Sequence, residues 1–213
     1  MKAVSLVTRR AGLDRAGFRD YYETRHCWLA MQHFPFLGYT RNHLLDHPEL
    51  DFDCISEFEA PEQMAKIDVM ASRSRQLVSA DELQFMDPQR IRIASVRPHT
   101  LIAATDASTG QALHSHVLLL EQEQDQLLER LRQLARNLAG KADAPCAMRL
   151  DLLDNDPRCP LPCNALLWLD WLDQDVILPA ALEQLPGYKV ALRIERCSTP
   201  LAELQDRFVA FQP

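Results

Sequence analysis

Glycine is scarce in this chain, with six in 213 residues, and none of them forms a GxGxxG or GxSxG pattern. That argues against the glycine-rich cradles that hold nucleotide phosphates and against the nucleophile elbow of serine hydrolases. Long apolar runs are missing as well: nothing approaches the roughly 20 residues of a membrane-spanning helix. Positive charge is in deficit, since 23 basic residues face 30 acidic ones for a formal net charge of −7. Short basic spots at Arg9–Arg10 and Arg73–Arg75 lie among acidic residues, so nucleic acid is not an expected partner. The six cysteines follow no framework spacing, and reduced thiols are expected. The opening MKAVSLVTRRAG places two arginines after a short apolar stretch, the wrong order for a signal peptide. A cytoplasmic location is therefore the expectation.

What is present is a globular composition, 47% hydrophobic and 25% charged, with a regular alternation of patterns. Lys2–Thr8 reads as a strand. Asp14 then caps a helical stretch to about Phe34, with Phe18, Tyr22 and Leu29 at helical spacing and Pro35 and Gly38 ending it. Gly38–Asp46 and Phe52–Glu59 read as strands, Ala60–Asp87 as helix with a break near Ser79, and Ile91–Ala103 as strand. The order then repeats. Leu113–Leu120 is a strand and Glu123–Leu138 an amphipathic helix. Cys146–Leu153 and Ala165–Leu172 are strands, Val176–Leu185 a short helix and Lys189–Cys197 a strand. Leu201–Phe211 is a terminal helix.

Both halves read βαββαβ, the ferredoxin-like order. The expected fold is α+β: tandem ferredoxin-like repeats forming a pseudo-dimeric α+β barrel. Residues 1–104 and 113–213 are the two domains, and the small polar segment TDASTGQA (105–112) is the linker. A sheet with helices on one face needs its other face covered, so the two sheets are expected to enclose a ligand. Pairing between chains as a homodimer is the alternative.

The first half resembles the EthD-like group of the dimeric α+β barrel superfamily over residues 1–103. The resemblance rests on TRRAGLDRAGFRDYYETRHCWLA, GYTRNHLLD, FDCISEFEAPEQM and LQFMDPQRIRIASVRPH. The group's first helix reads F-x-x-Y-(W/Y)-x-x-x-H-G-P-L, and Phe18, Tyr21, Tyr22, His26 and Leu29 match it. Cys27 and Trp28 replace the Gly-Pro pair, which changes how a ligand approaches His26. Asn42–His43 matches the second-strand pair, and Asp53 and Glu57 the acidic third strand. The resemblance implies relatives that are cofactor-free dehydratases, cyclases, isomerases or monooxygenases of polyketide and aromatic intermediates. It also implies haem-handling members and proteins auxiliary to an ether-degrading oxidation system.

Within the residues themselves, His26 is the first acid–base candidate, because an unperturbed imidazole titrates near neutral pH. Tyr22 and Trp28 are read as the walls of its ligand site, while capping or backbone bonding at a helix kink is the ordinary role for His26. His43 is the second candidate and shares a strand face with Tyr39 and Arg41, read as further ligand contacts. Which face of that strand lines the ligand site stays open. Glu57, with Asp53 and Ile55 on one face, is the candidate carboxylate base, and pairing with nearby arginines its ordinary role. His114 and His116 alternate onto one face but lack a third metal ligand at fixed spacing, and Cys159 and Cys163 are not a CxxC pair, so no metal or cofactor is expected. The functional expectation is a cofactor-independent lyase or isomerase acting on a hydrophobic aromatic, polyketide-like or other oxidised organic intermediate. A non-catalytic ligand-binding or auxiliary protein is the alternative, with a haem- or metal-dependent oxidoreductase behind it.

Overall fold

The computed structural model describes residues 1–104, 113–141, 144–173 and 176–213. The linker expected at 105–112 lies outside the described residues. The first half runs β1 (Lys2–Val7), α1 (Arg15–Tyr21), a π-helical turn (Tyr22–His26), α2 (Cys27–His33), β2 (Gly38–Leu44), β3 (Cys54–Glu59), α3 (Arg73–Glu82) and β4 (Arg92–Ile102). The second runs β5 (His114–Leu120), α4 (Gln124–Leu138), β6 (Ala147–Asn155), β7 (Ala165–Trp171), α5 (Ala180–Glu183) and β8 (Tyr188–Thr199), followed by α6 (Leu201–Arg207). The class is mixed helix and strand, and the hydrogen-bonded strand order is β1-β3-β2-β8-β5-β7-β6-β4 in a closed antiparallel barrel. Within each half the pairing is the same: β4-β1-β3-β2 first, then β8-β5-β7-β6.

Two compact units divide the chain: residues 1–43, 48–95 and 196–213, and residues 44–47 and 96–195. In the second unit Leu127, Leu131, Ala135 and Leu138 form one stripe of α4. They pack on Leu118, Leu120, Leu150, Leu152, Leu167 and Leu169 of the sheet. Each leucine so buried contributes about 2 kcal/mol by removing apolar surface from water. Gly187 closes the turn into β8 at φ +75, where a Cβ would meet the Glu121 carbonyl oxygen at 2.1 Å. In the first unit Phe18, Tyr22, Cys27, Ala30 and Met31 pack on Val7, Tyr39 and Cys54, with Phe85 and Met86 from beyond α3.

Three segments depart from the sequence reading. The stretch after Ala60 is two 3₁₀ turns (Glu62–Lys66 and Val69–Ala71) and then α3, which runs unbroken through Ser79. Its start is fixed by Ser72, whose hydroxyl accepts from Arg75 N, as serine does at a helix N-cap. The helix expected over 176–185 shrinks to Ala180–Glu183, because the residue before Pro179 is disfavoured in helical conformation. The terminal helix stops at Arg207. Among the described residues no helix is long and apolar enough to cross a membrane.

Candidate functional site

Asp14 starts α1 as read, its carboxylate accepting from Gly17 N at 2.7 Å. The helix is not uniform, however. At Cys27 the backbone N–H reaches back to Tyr22 O, five residues away, so one extra residue is accommodated in that turn. The wider turn sends Tyr22, Glu23, His26 and Cys27 inward, three of them fully buried and Glu23 half-buried.

Glu23 reaches β2. Its Oε1 lies 2.7 Å from His43 Nε2, and Arg41 donates from Nη2 to Oε2 at 2.7 Å and from Nε to Oε1 at 3.2 Å. The Nη1 of Arg41 donates to Thr199 Oγ1 at 2.8 Å and to Tyr39 O at 3.2 Å. Burial opposes ionisation of Glu23, but hydrogen bonds from His43 and Arg41 outweigh it and hold the carboxyl below its usual range. The Nδ1 of His43 is buried and has no hydrogen-bond partner among the described residues. Phe18 and Tyr22 stand edge-on to the His43 ring at 6.1 and 5.8 Å.

His26 reaches α3 instead. Its Nδ1 lies 2.9 Å from Asp81 Oδ2, and Tyr21 donates from its hydroxyl to Asp81 Oδ1 at 2.8 Å. The hydrogen bond from His26 depresses the Asp81 carboxyl against the opposing effect of burial, and Tyr21 adds to it. Phe85 and Tyr22 lie 4.6 and 5.3 Å from the His26 ring. Tyr22 thus stands between the two histidines. Burial lifts its phenol far above the ordinary value, aided by nearby Cys54, so it is a neutral wall and hydrogen-bonding group. The Tyr39 hydroxyl is 3.5 Å from that of Tyr22, and the Tyr39 ring stacks on Phe36.

The structure brings His26, His43, Tyr22, Tyr39 and Arg41 into one layer, on the helix-facing side of β2. It sends two candidates elsewhere. Glu57 projects to the opposite face of the sheet, where it accepts from Asn42 Nδ2 at 3.0 Å and pairs with Lys2 Nζ at 2.9 Å. Trp28 is 47% exposed, with Arg207 stacked 4.0 Å over its ring, so it does not wall the His26 site. Asp53 departs from Glu57 to pair with Arg9 and Arg15. His116 packs edge-on to Trp171 at 5.1 Å in the second unit.

Three participants escaped sequence reading: Glu23, Asp81 and Phe85. Glu23 stands next to Tyr22, but a regular helix would turn it away from His26's side. Asp81 and Phe85 lie more than 50 residues from His26, and no local pattern connects them.

Residues 10–89 match the model of the EthD domain. This segment is similar to an EthD domain. It contains both histidine–carboxylate pairs, with Tyr22 and Phe85, while Thr199 falls outside it. No curated protein matches the chain. Among solved structures, the chain is similar to an anthrone oxidase-like protein, with TM-score 0.53, 12% identity and 92% of each chain covered. A protein of Lactobacillus acidophilus NCFM provisionally named a monooxygenase matches with TM-score 0.50 and 9% identity, over 94% of this chain and 95% of that one. A Fusobacterium nucleatum protein with the same provisional name gives TM-score 0.51 and 10% identity, over 92% and 91%. Identities this low establish the shared fold alone.

Proposed function

We propose that the EthD segment is the catalytic part of a cofactor-independent lyase or isomerase. Its substrate is a hydrophobic aromatic, polyketide-like or other oxidised organic intermediate, bound within the first unit. One observation carries this reading: each of two buried imidazoles presents a ring nitrogen to a carboxylate held in its ionised form. Such a carboxylate fixes the tautomer of the ring and stabilises the imidazolium formed when the other nitrogen takes a proton. His43, whose Nδ1 has no hydrogen-bond partner among the described residues, is the base that removes a proton beside a carbonyl. His26, backed by Asp81 and Tyr21, returns a proton to the enolising or departing oxygen. Tyr22 and Phe85 supply the aromatic wall. The name of the anthrone oxidase-like structure fits the substrate class, since an anthrone is an aromatic ketone. The matching pairing order of the two halves supports their reading as divergent ferredoxin-like repeats.

The test is hydrogen–deuterium exchange at carbon beside a carbonyl, followed by NMR with a panel of anthrones and polyketone acids. The purified protein should accelerate exchange of at least one of them. His43→Ala should abolish that exchange and His26→Ala should weaken it, both with far-UV circular dichroism retained. Exchange that survives both substitutions, or never occurs in the unaltered protein, defeats the mechanism. The burial of both rings, His26 at 5% and His43 at 3% exposure, favours a second reading, a non-catalytic protein that binds and delivers such a ligand. Saturable binding without exchange would establish that alternative.

A further inference from the structure

Acid–base chemistry accounts for the contact between His43 and Glu23 but not for the thiol beside it. Glu23, His43 and Cys197 each place one ligand-type atom within 4.8 Å of the other two. The three come from the π turn, β2 and β8, and all lie in the first unit. Cys197 shares a face of β8 with Thr199 by strand alternation, and Thr199 accepts from Arg41 on this same layer. Cys197 is outside any disulfide and, like Glu23, only half-buried.

A carboxylate, an imidazole and a thiol make a donor set for a borderline-soft divalent ion such as zinc. Calcium and magnesium would instead require oxygen ligands throughout. Arg41 grips Glu23 chiefly through Oε2, orienting the carboxylate in the manner of an outer-shell partner. Two anionic ligands balance a divalent charge. The neighbouring Arg41 guanidinium works against the cation, which places the expected affinity below that of a closed structural zinc site.

We propose that Glu23, His43 and Cys197 form a three-ligand site for a zinc-like divalent cation, with a fourth position left for water or an exogenous donor. On binding, the thiol of Cys197 loses its proton to solvent as the metal–sulfur bond forms. His43 ligates as a neutral imidazole, and the cation takes the place of the proton between its ring and Glu23. A bound cation therefore removes His43 from proton transfer and inhibits the exchange reaction. This inference concerns the same imidazole as the proposed function, but it is read spectroscopically and in the absence of substrate, so either can fail without the other.

The experiment is titration of the reduced, chelator-treated full chain with cobalt(II). One equivalent should produce a near-ultraviolet thiolate-to-cobalt band and intense visible bands of four-coordinate geometry. Cys197→Ser should remove the thiolate band, Glu23→Gln and His43→Gln should weaken binding at least tenfold, and the double variant Cys159→Ser, Cys163→Ser should leave it intact. Protection of Cys197 from alkylation by zinc, mapped by mass spectrometry on the unaltered protein, covers the case in which a variant fails to fold. Absence of a thiolate band, a band that survives Cys197→Ser, or no protection of Cys197 overturns the site.

Discussion

On β6 the side chains that meet α4 are Met148, Leu150 and Leu152. On β2, the strand in the same place in the first half, the helix-facing positions are Tyr39, Arg41 and His43. The helices differ in the same sense. The buried stripe of α4 is Leu127, Leu131, Ala135 and Leu138, whereas the stretch from α1 to α2 buries Phe18, Tyr22, His26, Cys27, Ala30 and Met31. Two layers with the same order of elements thus have opposite chemistry. The leucine layer needs nothing from its partners beyond shape, and burial alone stabilises it. The aromatic layer contains charges that are tolerable only while each is paired, because an unpaired buried charge costs several kcal/mol. A layer that accepts such a cost without a gain in packing is where chemistry is to be sought.

The largest expected effect removes the ring on which the aromatic layer converges. Phe85 is fully buried and touches Phe18, Tyr21, Tyr22 and His26. Phe85→Ala should cost about 3–5 kcal/mol in chemical denaturation. Leu131→Ala in the leucine layer should cost a comparable amount, about 2–5 kcal/mol. The comparison sharpens if only Phe85→Ala also alters exchange activity or ligand binding in whatever fraction stays folded. Next comes Glu23→Ala, which leaves Arg41 and His43 buried without their counter-charge. A loss of about 3 kcal/mol is expected, and a loss below about 1 kcal/mol would show that solvent reaches the pair and screens it.

Much of this contrast was legible in the sequence, and the illegible part has physical causes. The leucine stripe follows from 3.6-residue periodicity, and Asp14, Pro35 and Gly38 marked the ends of the first helical stretch. Strand alternation correctly put His43 on the face of Tyr39 and Arg41. The π turn was hidden, because it is a choice of hydrogen-bond partner that no local propensity encodes. Its consequence, Glu23 turned onto β2, was hidden with it. Asp81 was hidden by distance along the chain, and the face of Glu57, opposite to that of His43, could be assigned only with its partners in view. The replacement of Gly-Pro by Cys27–Trp28 suggested an aromatic wall, but the structure separates the two residues: Cys27 goes in and Trp28 goes out.

A pH titration probes the charged layer more gently. Both Asp81 and Glu23 have folded-state pKa values below their ordinary ones. A depressed carboxylate contributes stability that is fully present above its unfolded value, about 3.9 for Asp and 4.3 for Glu. That contribution fades as pH falls through the folded value. Melting temperature should therefore drop below about pH 4, and Asp81→Asn should flatten part of the drop, with the two curves converging toward acid. A constant offset between the curves down to the lowest accessible pH would mean that Asp81 acts through packing and not through its charge.

The smallest effect tests whether Trp28 belongs to the site at all. Its ring is half exposed under the Arg207 guanidinium of α6, a cation–π contact at a solvent-facing position. Arg207 also donates to Glu203 at 2.7 Å within the same helix, so its charge is already partly satisfied. Arg207→Ala should then cost only about 0.5–1 kcal/mol, and Trp28→Ala a similar amount. Because the contact ties α6 to α2, the two losses should not add in the double variant. Neither change should affect exchange activity or cobalt binding, since His26 and Glu23 face inward from the same helical stretch. A marked loss of either property in Trp28→Ala would return Trp28 to the ligand site and show that the aromatic layer extends to the outer face of α2.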